Sequence, residues 1–133
     1  MTYLLDVNAL IALGFQEHEF HERVATWLSS LDSSVVLVSC PITELGFVRV
    51  LQQAPPYRVP ISESRKLLGQ LRKNPSRAIG FIPDDHGVEI LPAWVANGRQ
   101  STDGYLSALA RKHQAVLATL DEGIKGAFVI PEA

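Results

Sequence analysis

A three-layer α/β/α sandwich around a mostly parallel sheet is the fold class predicted by the order of elements along this chain, on three observations. Short apolar runs alternate with segments of helical periodicity from one end to the other. The most aliphatic run, Val35-Val36-Leu37-Val38, is continuous rather than alternating, as in a strand covered on both faces. No internal repeat or low-complexity tract breaks the pattern. With 133 residues, 47% of them hydrophobic, residues 1–133 are expected to form one domain with a substantial core and no room for a second.

Tyr3-Leu4-Leu5 reads as the first strand, closed by Asp6, and Ala9, Leu10, Ile11 and Leu13 begin a helix after the polar turn at Asn8. From His18 onward, Phe20, Val24, Trp27, Leu28 and Leu31 recur at spacings of three and four, which predicts an amphipathic helix ending at Ser33-Ser34. Val35 to Val38 is expected as the central strand. Ser39 or Cys40 can then cap a helix with Pro41 in its first turn, carrying Ile42, Leu45, Phe47, Val48, Val50 and Leu51 and apolar almost all round. Pro55, Pro56 and Pro60 stiffen the connector to a helix opened by Ser62, with Leu67, Leu68 and Leu71 facing in and Arg65, Lys66, Arg72 and Lys73 facing out. Ala78 to Ile82 is a strand closed by the turn Pro83-Asp84-Asp85, and the stretch from His86 to Gly98 has no clear periodicity. Ser101 or Thr102 is expected to cap a helix with Tyr105, Leu106, Leu109 and Ala110 on one face. Val116 to Thr119 and Ala127 to Ile130 close the series as strands.

Composition narrows the function classes. Twelve Lys and Arg against fourteen Asp and Glu leave a net charge of −2, so no overall basicity advertises a polyanion partner, and local cations or bound metal would have to attract one. The single cysteine, Cys40, cannot form an internal disulfide and is expected as a small buried hydrophobe, which suits a reducing compartment. No basic leader precedes Asp6, and no apolar run approaches the length of a bilayer span. A soluble, cytoplasmic protein without membrane contact is expected.

The acids matter by position, because ligands of an open parallel sheet gather beyond the carboxyl ends of its strands. Asp6 closes the first strand, Glu44 lies early in the helix after the second, Asp103 begins the helix before the fourth, and Asp121 follows the fourth. Turn and capping roles would explain Asp6, Asp103 and Asp121 singly. Glu44 is the exception, the one acid in a helix suited to burial. Carboxylates about 5 Å apart repel by roughly 3 kcal/mol per pair at an effective dielectric of about 20, so their convergence calls for a counter-charge. Apart from Arg99, no basic residue is near Asp6 or Asp103 in the chain. An all-oxygen set suits Mg²⁺ or Mn²⁺, and the histidines His18, His21, His86 and His113 show no spacing suited to zinc.

Four segments carry a resemblance to a known family. Leu5-Asp6-Val7-Asn8, Thr43-Glu44-Leu45, the run Thr102-Asp103-Gly104-Tyr105-Leu106-Ser107-Ala108-Leu109-Ala110, and Ala118-Thr119-Leu120-Asp121 resemble, in order and spacing, the four acidic motifs of PIN-domain nucleases. The third, running on through Arg111 and His113, is the most specific. The resemblance covers nearly the whole chain, and its length and the Phe81-Ile82-Pro83-Asp84-Asp85 segment are most similar to the VapC-like toxins of VapBC toxin–antitoxin pairs. At Gly104 the family more often carries alanine, and the glycine is expected to loosen the start of that helix.

The resemblance implies an endoribonuclease that cleaves RNA phosphodiester bonds with metal-activated water. Asp6, Glu44, Asp103 and Asp121 would be its catalytic residues and hold one or two Mg²⁺ or Mn²⁺ ions, while Asn8 and Thr119 would be polar groups behind the ligands or facing substrate. Its partners would be RNA, a VapB-type antitoxin wrapping the helical face, and a second copy in a symmetric dimer. Phe15, Phe20, Trp27, Leu51 and Leu68 are the apolar residues expected to supply part of the antitoxin groove. Arg65, Lys66, Arg72, Lys73 and Arg77 are dense enough to touch RNA phosphates, although a solvated helix face would look the same. Two other readings fit less of the sequence: a degenerate PIN domain used as a protein-binding scaffold, which the intact set of four acids disfavours, and a haloacid-dehalogenase-like phosphatase, which would want Asp at position 8 and a lysine near the site.

Overall fold

Every strand of the chain runs in the same direction. A computed structural model describes residues 1–133, with strands β1 (Thr2–Leu5), β2 (Val36–Ser39), β3 (Ile79–Phe81), β4 (Val116–Thr119) and β5 (Phe128–Val129). They pair in parallel in the order β3-β2-β1-β4-β5. The helices are α1 (Val7–Gly14), α2 (His21–Ser30), α3 (Pro41–Gln53), α4 (Ile61–Arg72) and α5 (Ser101–Lys112), with two 3₁₀ turns at Val88–Ile90 and Gly98–Gln100. The expected α/β sandwich is what forms, with one change of order. The central position belongs to β1, between β2 and β4, so Val35 to Val38 lies one strand off centre.

Side-chain alternation along the strands divides the core in two. Tyr3, Leu5, Leu37, Ile79 and Ala118 face α1 to α4, where Leu10, Val24, Trp27, Phe47 and Leu51 pack. Leu4, Val38 and Leu117 face the other way, onto Leu106, Leu109 and Ala110 of α5, with Ile90 and Trp94 of the preceding loop against the edge. Both faces of the sheet are thus dry, which is why its strands read as unbroken apolar runs.

The differences from expectation have local causes. Helix α2 starts at His21 rather than His18, which leaves Phe20 38% exposed ahead of it. Trp27 and Leu51, expected in a partner groove, are core residues instead. Leu45, expected inside, is 68% exposed because α3 is covered on only part of its circumference. The illegible stretch 86–98 owes its lack of periodicity to two 3₁₀ turns joined by irregular chain. Neither Ser101 nor Thr102 caps α5. The cap belongs to the preceding 3₁₀ turn, where the Asn97 side chain accepts from the Gln100 N–H, and the turn runs straight into the helix. Gly104 does not loosen α5 either. A Cβ there would lie 2.2 Å from Val95 Cγ2, so glycine is what lets the 86–98 loop close onto the helix.

Candidate active site

The chain leaves β1 at Leu5 and turns into α1 within one residue, which places Asp6 at the helix N-cap. Its Oδ1 accepts from the Val7 N–H at 2.8 Å, and its Oδ2 accepts from the Thr119 hydroxyl at 2.8 Å. The side chain is thereby fixed at both oxygens, and the residue is only 5% exposed. Burial pushes the Asp6 carboxyl up; the hydrogen bonds from Thr119 and Val7 pull it back, and the charge of Asp121 adds to the rise.

Thr119 and Asn8 form the support beneath it. Thr119 is fully buried at the end of β4, and its hydroxyl also accepts from the Asp121 N–H at 3.1 Å and from Asn8 Nδ2 at 3.2 Å. Asn8 Oδ1 accepts from the Leu120 N–H at 3.1 Å. These bonds stitch the start of α1 to the β4 exit and hold Asp6 and Asp121 in register. Thr119 itself is buried behind Asp6 and has no exposed surface.

Asp103 enters from the first turn of α5, on the opposite face of the sheet from α1. Its carboxyl is also pushed up, first by burial and then by the charges of Asp6 and Asp121. Three aspartates from three separate segments therefore act on one another. None of the ion pairs of the chain involves them.

Glu44 is different. Its carboxylate is paired with Arg72, the last residue of α4, and its Oε2 accepts from the Ser39 hydroxyl at 2.6 Å. It is not among the charges that shift Asp6 or Asp103. Arg72, expected to face solvent, instead reaches inward, with its guanidinium 5.1 Å from the centroid of the Phe81 ring. Sequence reading missed this counter-charge because the pair lies 28 residues apart, on two helices joined by the 54–60 connector. Arg77 is likewise structural, donating to the carbonyls of Val35, Leu31 and Asp32.

The residues present suit a hard cation. The donor set is all oxygen, two of the three aspartates are raised by burial and mutual repulsion, and the nearby arginine is spent on Glu44. A second polar cluster lies elsewhere: Asp85 Oδ1 is 2.9 Å from His86 Nδ1 and 2.8 Å from His113 Nε2. All three ligand-type atoms lie within 4.8 Å of one another. The hydrogen bond of His113, then that of His86, holds the Asp85 carboxyl below its ordinary value. These bonds tie the 82–97 loop to the far end of α5.

Residues 3–127 match the family model of the PIN domain. This chain belongs to the PIN-domain family. Among PIN proteins it is 36% identical to ribonuclease VapC38 of Mycobacterium tuberculosis, over 91% of this chain and 86% of the relative. It is 38% identical to ribonuclease VapC29 of the same organism, over 93% and 89%. In solved structures the same PIN fold is matched by M. tuberculosis VapC20, described as a sarcin–ricin loop cleaving toxin, with a TM-score of 0.65 and 13% identity over 98% of this chain and 99% of that one. VapBC2 of Rickettsia felis, bound to a DNA fragment from its promoter, matches with a TM-score of 0.66 and 12% identity over 97% of each chain.

Proposed function

We propose that this chain is a metal-dependent endoribonuclease, the toxin of a VapBC-type pair, in which Asp6, Asp103 and Asp121 hold one or two Mg²⁺ or Mn²⁺ ions. The observation that carries the reading is that Asp6 at the end of β1, Asp121 just past β4 and Asp103 at the start of α5 share the carboxyl edge of the sheet, Asp6 and Asp121 both bound to Thr119 Oγ1, with none of the three in an ion pair. VapC38 and VapC29 are named ribonucleases and are 36% and 38% identical to this chain over the aligned residues. All 133 residues serve one nuclease domain.

When bound, Mg²⁺ or Mn²⁺ supplies positive charge that acidifies water and offsets charge developing on the phosphodiester. The residues do the positioning. Val7 N–H and Thr119 Oγ1 orient the Asp6 oxygens, Asn8 ties the α1 start to the β4 exit, and α5 carries Asp103 in from the other face. Asp6 and Asp103 must ionise to act, so their raised proton affinity makes activity fall as pH drops. Glu44 joins the set only when it exchanges Arg72 for the shared charge.

The partner is a VapB-type antitoxin, in keeping with the VapBC2 match and with a second match, FitAB bound to the IR36 DNA fragment, at 23% identity and a TM-score of 0.55 over 92% of this chain and 87% of that one. Leu45 and Ile61, 68% and 47% exposed, edge an apolar groove of about 460 Å³ between α3 and α4. That groove is offered to the antitoxin or to a second copy in a symmetric dimer, replacing the buried Trp27 and Leu51 in that role. No helix is long and apolar enough to cross a membrane, and the same reading puts the toxin in the cytoplasm with its RNA substrate.

Incubation of the purified protein with a pool of cellular RNAs, with Mn²⁺ or with EDTA, followed by mapping of the new ends, tests the reading. Discrete cuts that need the metal and vanish in Asp6→Asn are expected. Equal cleavage in EDTA would refute metal dependence, and no cleavage with either ion would favour a protein-binding scaffold.

A further inference from the structure

Helix α5 carries more than Asp103 along the same side. Ser107 and Arg111 follow at intervals of four, so the three side chains form one stripe, with Asp103 and Arg111 about 12 Å apart along the axis. Beside the stripe runs a groove of about 640 Å³, whose walls include Trp94 of the preceding loop, Ser107, Arg111 and Lys112 of α5, and Lys125 and Gly126 of the loop after Asp121. Asp103 lies one helical turn before Ser107 of the helix wall, and the loop wall begins four residues past Asp121.

The loop wall is built against the helix. Gly126 has φ +81, and a Cβ there would lie 3.1 Å from Arg111 Nη2 and 3.5 Å from Ser107 Oγ, so a side chain would be strained and crowded. Ser107 Oγ lies 3.4 Å from the Lys125 carbonyl oxygen, positioned to donate to it. These contacts set Lys125 across from Arg111.

Three cations meet in this groove, and none is in an ion pair. Arg111 and Lys112 lie in the last turn of α5, where a positive charge is favoured by the helix dipole alone. Lys125 belongs to no helix, so the dipole does not explain it. In a chain of net charge −2, free cations beside an aromatic face and leading to an acidic site are the features that hold a single nucleic-acid strand by its phosphates and bases.

We propose that the groove between α5 and the 121–127 loop binds single-stranded RNA next to the aspartate site, with Arg111, Lys112 and Lys125 on phosphates and Trp94 against a base. The proposal rests on the ribonuclease reading above and moves the RNA contact away from the basic stretch of α4. Arg65, Lys66 and Lys73 of that stretch and its C-cap are exposed on the side of the sheet opposite α5.

The test is fluorescence titration of the full chain with a fluorescein-labelled single-stranded RNA in metal-free buffer at several salt concentrations, paired with Mn²⁺-dependent cleavage of the same RNA. The double variant Arg111→Gln/Lys125→Gln should bind roughly tenfold more weakly at low salt, and its salt slope should fall by about 1.4, the share of two single-strand phosphate contacts. Unlabelled RNA should quench tryptophan emission in wild type but not in Trp94→Phe, since Trp27 is only 5% exposed. In cleavage, the double variant should raise KM while kcat stays within about threefold of wild type. Arg65→Gln/Lys66→Gln should match wild type throughout.

Unchanged affinity and salt slope in Arg111→Gln/Lys125→Gln would overturn the groove, even with RNA cleavage intact. Poly-L-glutamate binding as tightly as RNA, with the same quench, would overturn it in favour of an acidic protein segment. Groove-dependent RNA binding with no cleavage in Mn²⁺ or Mg²⁺ would sustain the groove and sink the nuclease reading.

Discussion

Glu44 and Asp103 are both acids in the first turn of a helix at the carboxyl edge of the same sheet, yet only one of them is neutralised within the chain. Glu44 has Arg72 and the Ser39 hydroxyl. Asp103 has the like charges of Asp6 and Asp121, and its carboxyl is raised accordingly. On the proposed reading, an acidic motif becomes a cation site through the charges the fold withholds, as well as the carboxylates it supplies.

The largest effect that bears on this comparison is on activity. Asp103→Asn removes a charge that has no partner, so cleavage should fall by about two orders of magnitude or more while metal-free stability stays level or rises. Initial rates and denaturant melts on the same preparation check both halves. A loss of activity that tracks a loss of fold would erase the contrast with Glu44.

Next in size is Gly104→Ala. The added methyl collides with Val95, which should cost about 1–3 kcal/mol, and Val95→Ala in the same chain should restore most of it. Urea melts of the three variants measure this. An unchanged midpoint for Gly104→Ala would show that the loop yields and does not brace the Asp103 end of α5.

Arg72→Met turns Glu44 into an acid like the others. Its side chain is 21% exposed, so loss of the partner should destabilise the protein by roughly 1–2 kcal/mol. Glu44→Gln in that background should restore it. Mn²⁺ should recover part of the loss in Arg72→Met alone, because the freed carboxylate can then share the ion. Failure of both rescues would place Arg72 in packing against Phe81 rather than in charge pairing.

The smallest effect is on pH dependence. Asp6 and Asp103 bind protons more tightly in the folded chain than in the unfolded one, so each costs stability at neutral pH, and the cost disappears as pH falls from their raised values toward the ordinary carboxylate range. Metal-free Asp103→Asn should therefore be the more stable protein at pH 7, and its advantage over wild type should shrink toward pH 4. A gap independent of pH would mean that Asp103 carries no such strain.

Most of the architecture could be read before any coordinates, because burial on both faces of a parallel sheet leaves unbroken runs such as Val35 to Val38, and helices declare themselves by period. The positions of the four candidate acids were legible too, each at a strand or helix end. Three kinds of information were not. Strand order depends on which helices cover which face, so β1 rather than β2 took the centre. Leu45 and Trp27 exchanged their expected surroundings because a pattern shows that a helix is apolar but not how much of its circumference is covered. The Arg72–Glu44 pair, the Asp85–His86–His113 cluster and the Gly104–Val95 contact all join residues that only the tertiary fold brings together.

The central claim is that Asp6, Asp103 and Asp121 form a cation site. Its most direct test is the stability of metal-free wild type and Asp6→Asn, each measured by denaturant melts as Mn²⁺ is added. Wild type should gain about 2.7 kcal/mol at one hundred times the dissociation constant, and Asp6→Asn should start at least as stable and gain little. An equal Mn²⁺ gain in both proteins would contradict the claim.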